Sequence, residues 1–405
     1  MAVPKIRFPG FTEDWEQRKV DDITSSYSGG TPQAGNQDYY NGDIPFIRSG
    51  EIYQSHTELF ITQKGLNNSS AKMVSKGDIL YALYGATSGE VSRSKLDGAI
   101  NQAILAIHPK DDFNADFLVE WFRKEKDNII SRYLQGGQGN LSAQIIKNLD
   151  VMIPSSSEQK MIGDFFSNLN NLITLHQRKY EKLIDVKNAM LVTMFPRPGK
   201  DKPDMRFKGY ESAWQTVRLG DIVERVTRKN SNFESTLPLT ISAQYGLIDQ
   251  NEFFNKQVAS KDVSNYYLIR NGEFAYNKST SSDAPFGAVK RLDRYDCGVL
   301  STLYIMFRIK EEAEVDSDYL VEYYSTNLWH EGIQKIAAEG ARNHGLLNIV
   351  PDDFFNTTLM IPQNISEQRK IGQYFRSLDK LIEIKKNKVE KLQDVKKALL
   401  QAMFI

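Results

Sequence analysis

Two stretches of this chain repeat an apolar residue at three- and four-residue steps. In the first, Ile162, Phe166, Leu169, Ile173, Tyr180, Leu183, Met190 and Met194 mark the stripe. In the second, Ile371, Phe375, Leu378, Ile382, Val389, Leu392, Leu399 and Met403 do the same. One apolar stripe at that period predicts a long helix that buries a single face. Polar residues break the two seams at equivalent places, His176 and Lys187 against Lys385 and Lys396. Such breaks set register in a coiled coil. Ser155-x-x-Glu158 and Asn364-x-x-Glu367 follow an Ile-Pro closely and carry the spacing of capping boxes. Pro196-Arg197-Pro198-Gly199 stops the first helix. Over residues 158–195 the rise of about 1.5 Å per residue gives a rod of roughly 55–60 Å.

The two stripes are part of a wider internal repeat. Arg7-Phe8-Pro9-Gly10-Phe11, Trp15 and Asp22-Ile23 return as Arg206-Phe207-Lys208-Gly209-Tyr210, Trp214 and Asp221-Ile222, each 199 residues on. Glu158-Gln159, Ile162-Gly163, Phe166 and Leu169 return as Glu367-Gln368, Ile371-Gly372, Phe375 and Leu378, each 209 residues on. Between these ends, residues 26–150 and 230–357 share only echoes, such as Gly77-Asp78-Ile79-Leu80-Tyr81 against Gly272-Glu273-Phe274-Ala275-Tyr276. Like frames with unlike contents point to two modules of one fold, tuned to two ligands.

Inside the modules, short apolar and β-branched runs are bounded by Gly, Asp and Asn, as strands are. Ile44–Ile47, Ile79–Leu83 and Ile104–Ile107 are examples in the first module, with Leu239–Ser242 and Leu303–Phe307 in the second. Phe117–Phe122 and Tyr319–Tyr324 predict matching short helices. The expected fold is α+β. Two similar mixed α/β modules are separated by two long helices packed as an antiparallel coiled coil, with a pseudo-two-fold internal repeat. The expected boundaries are 1–155 for the first module, 156–196 for the central helix, 197–363 for the second module and 364–405 for the C-terminal helix.

Composition narrows the function. Lys+Arg and Asp+Glu both number 51, so the formal net charge is zero. That speaks against a lone non-specific DNA binder, which carries a basic excess, and leaves room for local basic faces. A single cysteine, Cys297, forbids an intramolecular disulfide and fits a reducing cytoplasm. Met1-Ala2-Val3-Pro4-Lys5 leads into no apolar core, so no signal peptide is expected. No apolar run nears the roughly 18 residues of a membrane helix.

The whole layout resembles the specificity subunits of type I restriction–modification systems, from Arg7 to Phe404. The residues that carry the resemblance are Gly29-Gly30-Thr31-Pro32 and the Ile-Pro…Ser-Glu-Gln segments at 153–159 and 361–368, together with the two-fold layout. The second module departs from it, with Lys229-Asn230-Ser231-Asn232 in place of the Gly-Gly-Thr-Pro. The resemblance implies that each module is a target-recognition domain reading one half of an asymmetric bipartite site in double-stranded DNA. It implies that the helices set the gap and dock two methyltransferase (M) subunits, and through them restriction/translocase (R) subunits. Protein half-site spacing would map onto the DNA repeat of about 34 Å per turn.

Arg, Lys, Asn and Gln hold phosphates and read purine edges. On that ground the candidate DNA-binding residues are Gln33, Asn36, Arg48, Lys64, Lys72, Arg93, Gln138 and Asn140 in the first module. In the second they are Gln244, Lys256, Asn277, Lys278, Arg291, Arg342, Asn343 and His344. Gly136–Asn140 and Gly340–His344 are glycine-rich loops whose backbone can approach a phosphate closely. Solvated surface is the plain alternative for each of these side chains. Leu191, Met194, Phe195, Leu400, Met403 and Phe404 are the candidate subunit-docking residues.

No catalytic residue, metal site or cofactor is expected. The chain lacks a methyltransferase's glycine-rich cofactor loop, its Asn/Asp-Pro-Pro-aromatic motif and a Gly-x4-Gly-Lys-Ser/Thr phosphate loop. Glu158-Gln159-Lys160 and Glu383-Ile384-Lys385 match the tail of a nuclease carboxylate motif, but both fall on the rod helices. The five histidines lack metal-ligand spacing. A coiled-coil scaffold binding protein partners is the competing reading, and a self-contained enzyme the third.

Overall fold

The computed structural model describes residues 3–134, 140–242, 245–256, 258–260, 262–337 and 345–405. The chain divides into two compact units. One is Met1–Arg178 with Lys386–Ile405, and the other is Lys179–Lys385. Each unit therefore holds one module together with a segment of both long helices.

The first unit begins with β1 (Glu16–Lys19), α1 (Val20–Ile23), β2 (Thr24–Ser28), β3 (Tyr40–Ile47), β4 (Phe60–Ile61) and α2 (Gln63–Asn67). It continues with β5 (Lys72–Val74), β6 (Ile79–Ala82), β7 (Val91–Arg93), β8 (Gly98–Ile100) and β9 (Ile104–Pro109). Then come α3 (Ala115–Tyr133), α4 (Ala143–Lys147), β10 (Asp150–Ile153) and the long α5 (Ser156–Thr193). The central antiparallel sheet has the order β2-β9-β6-β7. Its middle strand β6 is buried along its whole length. Successive side chains of a strand point to opposite faces, and here each face has its own core. Ile79 and Tyr81 pack with Phe117, Trp121 and Phe122 of α3. Leu80 and Ala82 pack with Ile47, Val74 and Ile100 of a second sheet. That outer sheet has the order β4-β3-β8-β5 and contains a parallel pair, Phe46 beside Ala99.

The second unit repeats the scheme with β11 (Gln215–Arg218), α6 (Leu219–Ile222), β12 (Val223–Val226), β13 (Leu239–Ser242) and β14 (Gly246–Asp249). It continues through α7 (Gln250–Phe254), β15 (Tyr267–Arg270), β16 (Phe274–Asn277), β17 (Ala288–Arg291), β18 (Cys297–Leu300) and β19 (Ile305–Ile309). It ends with α8 (Ser317–Tyr323), α9 (His330–Ala337), α10 (Pro351–Asn356), β20 (Thr358–Ile361) and the long α11 (Ile365–Met403). Its central sheet, β12-β19-β16-β17, has the order of the first. Its outer layer is two ribbons, β13-β14 and β15-β18. A single parallel bridge, Pro238 to Val299, stands where the first unit has a ladder. Pro238 has no N–H to add to it.

In both units the helix segments run antiparallel. Phe166 of α5 meets Phe404, while Asn170 and Lys396 both reach Glu120. In the second unit Phe195 meets Phe375, while Lys187 binds Asp379 at 2.6 Å. The capping boxes form only in part. Ser155 and Asn364 side chains accept from Glu158 N and Ser366 N, as caps do. The Glu158 and Glu367 carboxylates, however, do not turn back to the backbone. They are buried, and Arg7 and Arg206 hold them in bidentate pairs at 2.6–2.8 Å. A buried carboxylate is better matched by a guanidinium fork than by one amide. The neighbouring Gln159 and Gln368 accept from Asn114 N and Asp316 N, and donate to Pro154 O and Pro362 O. The repeated Arg-Phe and Glu-Gln segments are thus the two halves of one clasp, made once in each unit.

Candidate nucleic-acid interface

One end of each central sheet gathers four chain segments. In the first unit β2 leaves at Ser28 into Gly29–Pro32, and β6 leaves at Ala82 into a turn at Tyr84–Gly89. There β9 begins at Ile104 after Asn101 and Gln102. Leu141 N donates to Leu83 O at 2.9 Å, which brings in the chain after α3. The Gly-Gly-Thr-Pro segment fits because its first two residues, Gly29 and Gly30, have no side chains. A Cβ on Gly29 would lie 1.9 Å from Ile100 O, and one on Gly30 would lie 2.5 Å from Ser70 Cβ. That close seat presents Thr31, whose hydroxyl donates to the Gln102 side-chain carbonyl. Thr31, Gln33, Gln102 and Asn140 are exposed, and Tyr84 is half-buried beside them.

The second unit builds the same end with other side chains. Leu347 N donates to Lys278 O at 3.0 Å, the counterpart of Leu141 to Leu83. Thr280 N donates to Gly345 O at 2.7 Å. Asn277 closes β16 and its side chain accepts from Ser279 N. Burial pushes the Lys278 ammonium below its ordinary range, and it donates to Ile349 O at 3.4 Å. Ahead of β19, Leu303 is 57% exposed where the first unit has the buried Ala103. Both sit in the same turn, their amides donating to Ser301 Oγ and Asn101 Oδ1.

The other candidates divide by what already holds them. Gln33, Lys72 and Lys256 are exposed. Asn36 caps a short 3-10 turn by accepting from Asp38 N. Arg48 is committed to Glu51 and Glu58. Burial works to raise the Glu51 carboxyl, and hydrogen bonds from Arg48 overcome it, bringing it down to about 2. Lys64 binds Asp38 at 2.6 Å. Arg93 donates to Gly77 O and binds Asp116 in the first turn of α3. Arg291 does the equivalent with Asp293, Ser317 and Asp318. These two arginines are clips between sheet and helix, so only a rearrangement would free them for a phosphate. Gln138, Gln244, Arg342, Asn343 and His344 lie outside the described residues.

Burial divides the docking candidates. Met194, Phe195, Met403 and Phe404 are 2–4% exposed and form core against Trp15, Trp214, Phe117 and Tyr319. Leu191 and Leu400 are half-buried. Apolar residues that face outward on the long helices include Leu172 and Leu175 with their repeats Leu381 and Ile384, 39–51% exposed, and Met161, Val192 and Val395, 42–62% exposed. Sequence reasoning missed these because a stripe does not reveal which flank is covered. Tyr84 and Gln102 at the same sheet end were not among the sequence candidates, and the tight glycines of Gly29-Gly30-Thr31-Pro32 were the available signal.

Among the described residues no group of three His, Cys, Asp or Glu could hold a metal ion, and no helix is long and apolar enough to cross a membrane. The model of the type I restriction modification DNA specificity domain matches residues 12–184 and again 211–394. The chain is 28% identical over 236 residues to the type I restriction enzyme MjaIX specificity subunit of Methanocaldococcus jannaschii, a match spanning 54% of each protein. It is 20% identical to the MjaVIII specificity subunit of the same organism, over 96% of this chain and 92% of that one. Among solved structures, a type I restriction–modification S subunit from M. genitalium superposes with a TM-score of 0.64 at 14% identity, covering 100% of this chain and 99% of that one. A structure described as showing complex assembly and conformational transition of the type I R-M system gives 0.53 at 15% identity, over 96% and 97%. The same domain matched twice, over most of the chain, places this protein in the family of type I restriction–modification specificity subunits.

Proposed function

We propose that each module reads one half of an asymmetric bipartite site in double-stranded DNA, through the sheet end where its four segments meet. The observation that carries this is the same platform built twice with different side chains. Thr31, Tyr84, Gln102 and Asn140 stand on one, and Asn277, Lys278, Thr280 and Leu303 on the other. Hydroxyls, amides and an ammonium suit base edges and phosphates, and an exposed leucine suits a thymine methyl. Lys72 and Lys256 are further phosphate candidates. The helices set the gap between half-sites. They dock two methyltransferase subunits on outward apolar positions such as Leu175 and Ile384, with Leu191 and Leu400 at the flanks, and R subunits join through these. The chain itself supplies no catalytic group, and the chemistry belongs to its partners.

The test is co-expression with the methylating partner in an unmethylated host, followed by mapping of methylated bases across the genome. A split motif with a fixed central gap is expected. No new methylation, with both proteins soluble and associated, would overturn the reading in favour of a scaffold that binds proteins.

A further inference from the structure

Besides the clasp glutamates, each unit buries a glutamate of the module's own helix against the long helices, Glu120 and Glu322, and the two are wired differently. In the first unit Glu120 of α3 sits 2% exposed between Arg123 one turn on, Asn170 of α5 at 2.8 Å and Lys396 of α11 at 3.2 Å. In the second unit Glu322 of α8 is 3% exposed, with Lys187 of α5 at 3.5 Å. Asp379 of α11 binds that same lysine at 2.6 Å. Asp379 is the repeat of Asn170, and Lys187 the repeat of Lys396. The module's own cation has moved. Arg123 in the first unit is replaced by Ser325 in the second, and Ser92 on β7 is replaced by Lys290 on β17. One acid therefore faces two cations in the first unit, whereas two acids share two lysines in the second.

A buried carboxylate, Glu322, beside a half-exposed one, Asp379, that shares its Lys187 partner favours retention of a proton. Burial is the main force on Glu322 and Asp379 adds to it, against Lys187 and Lys290, and the carboxyl is pushed up to about 7. Burial and Lys187 together lower the Lys290 ammonium. Lys187 and Lys290 also line an open cavity with Asp283 and His330, so solvent protons have a path to the cluster. The cluster is mechanically close to the reading platform. On β17, Lys290 pairs with Ala275 and Ala288 pairs with Asn277, at the end where β16 meets the platform.

We propose that Glu322, Lys187, Lys290 and Asp379 position the second module on its helix segments through a retained proton, so that recognition by this module alone weakens as pH rises through neutrality. These are positioning residues, and the DNA arm of the proposal rests on the proposed reading of half-site two.

The experiment uses the full chain assembled with its methylating partner, bound to a duplex carrying the mapped site and to duplexes altered in either half-site. Wild type should lose discrimination at half-site two by about three- to tenfold between pH 6 and 8.5, with half-site one unchanged. Glu322→Gln, which keeps the neutral shape, should be flat. Asn170→Asp, which places a second acid in the first unit, should transfer a pH dependence to half-site one. A wild type without slope, or Glu322→Gln with the wild-type slope, would overturn the proposal. Melting of the full chain over the same pH range is the second readout and needs no DNA. If no split site is bound, the functional reading fails, but Glu322→Gln must still flatten the melting curve or the positioning proposal fails as well.

Discussion

The inner and outer layers of the two modules differ in how closely they repeat. The inner sheets, β2-β9-β6-β7 and β12-β19-β16-β17, have the same strand order and the same buried tyrosine, Tyr81 and Tyr276. The outer layers keep only the outline. A parallel ladder in the first becomes one bridge at Pro238 in the second, and the exposed side chains change. The inner layer is held on one side by α3 or α8 and by the clasp on the long helices, so a change there leaves a cavity or an unpaired charge. The outer layer has fewer partners to satisfy. Divergence is greatest in the layer that can tolerate it and in the segments at the central-sheet end proposed to meet DNA.

The clasps should be the most sensitive and the least module-specific features. Arg7→Ala and Arg206→Ala each leave a buried carboxylate unpaired and should cost about 3–5 kcal/mol. Chemical denaturation should show nearly equal losses, and a twofold difference between them would break the equivalence of the units. Phe195→Ala and Phe404→Ala should follow at about 3–5 kcal/mol through cavity formation. Hydrogen exchange should place the damage in the second unit for Phe195 and in the first for Phe404, even though α5 and α11 are shared by both.

The pH response should separate the units next. The Glu322 carboxyl is raised, so its protonated form stabilises the fold. That contribution is whole below the ordinary carboxylate value and is lost as pH climbs to about 7 and beyond. A loss of about 2–3 kcal/mol between pH 5 and 8 is expected, removed by Glu322→Gln and readable in melting curves. Smaller still, Gln102→Ala and Leu303→Ala should relax one base position of half-site one and half-site two respectively, by about 1–3 kcal/mol of discrimination, with stability almost unchanged. Methylation mapping would show it. A change at the wrong half-site would uncouple platform from module.

The helices, the repeat and the strand runs were legible in the sequence because each is a periodic signal. The pairing of Arg7 with Glu158 was not, since 151 positions separate them and a charged pair has no period. For the same reason Glu158 passed for a capping residue. Arg93 and Arg291 drew attention as cations in a polar context, yet their partners Asp116 and Asp318 lie on neighbouring helices that only folding brings near. Met194, Phe195, Met403 and Phe404 sit at helix ends, where exposure is the ordinary expectation, and the module's aromatic core covers them instead.

Phe404 packs against Trp15 across almost the whole length of the chain. That contact constrains the order in which the two units can finish folding during synthesis. A nascent chain makes Trp15 389 residues before the ring that completes its packing. The first unit must wait, partly assembled, while the second is translated and folds. A premature stop anywhere in the second half would then expose aromatic surface in the first, and would mark the whole chain for proteolysis.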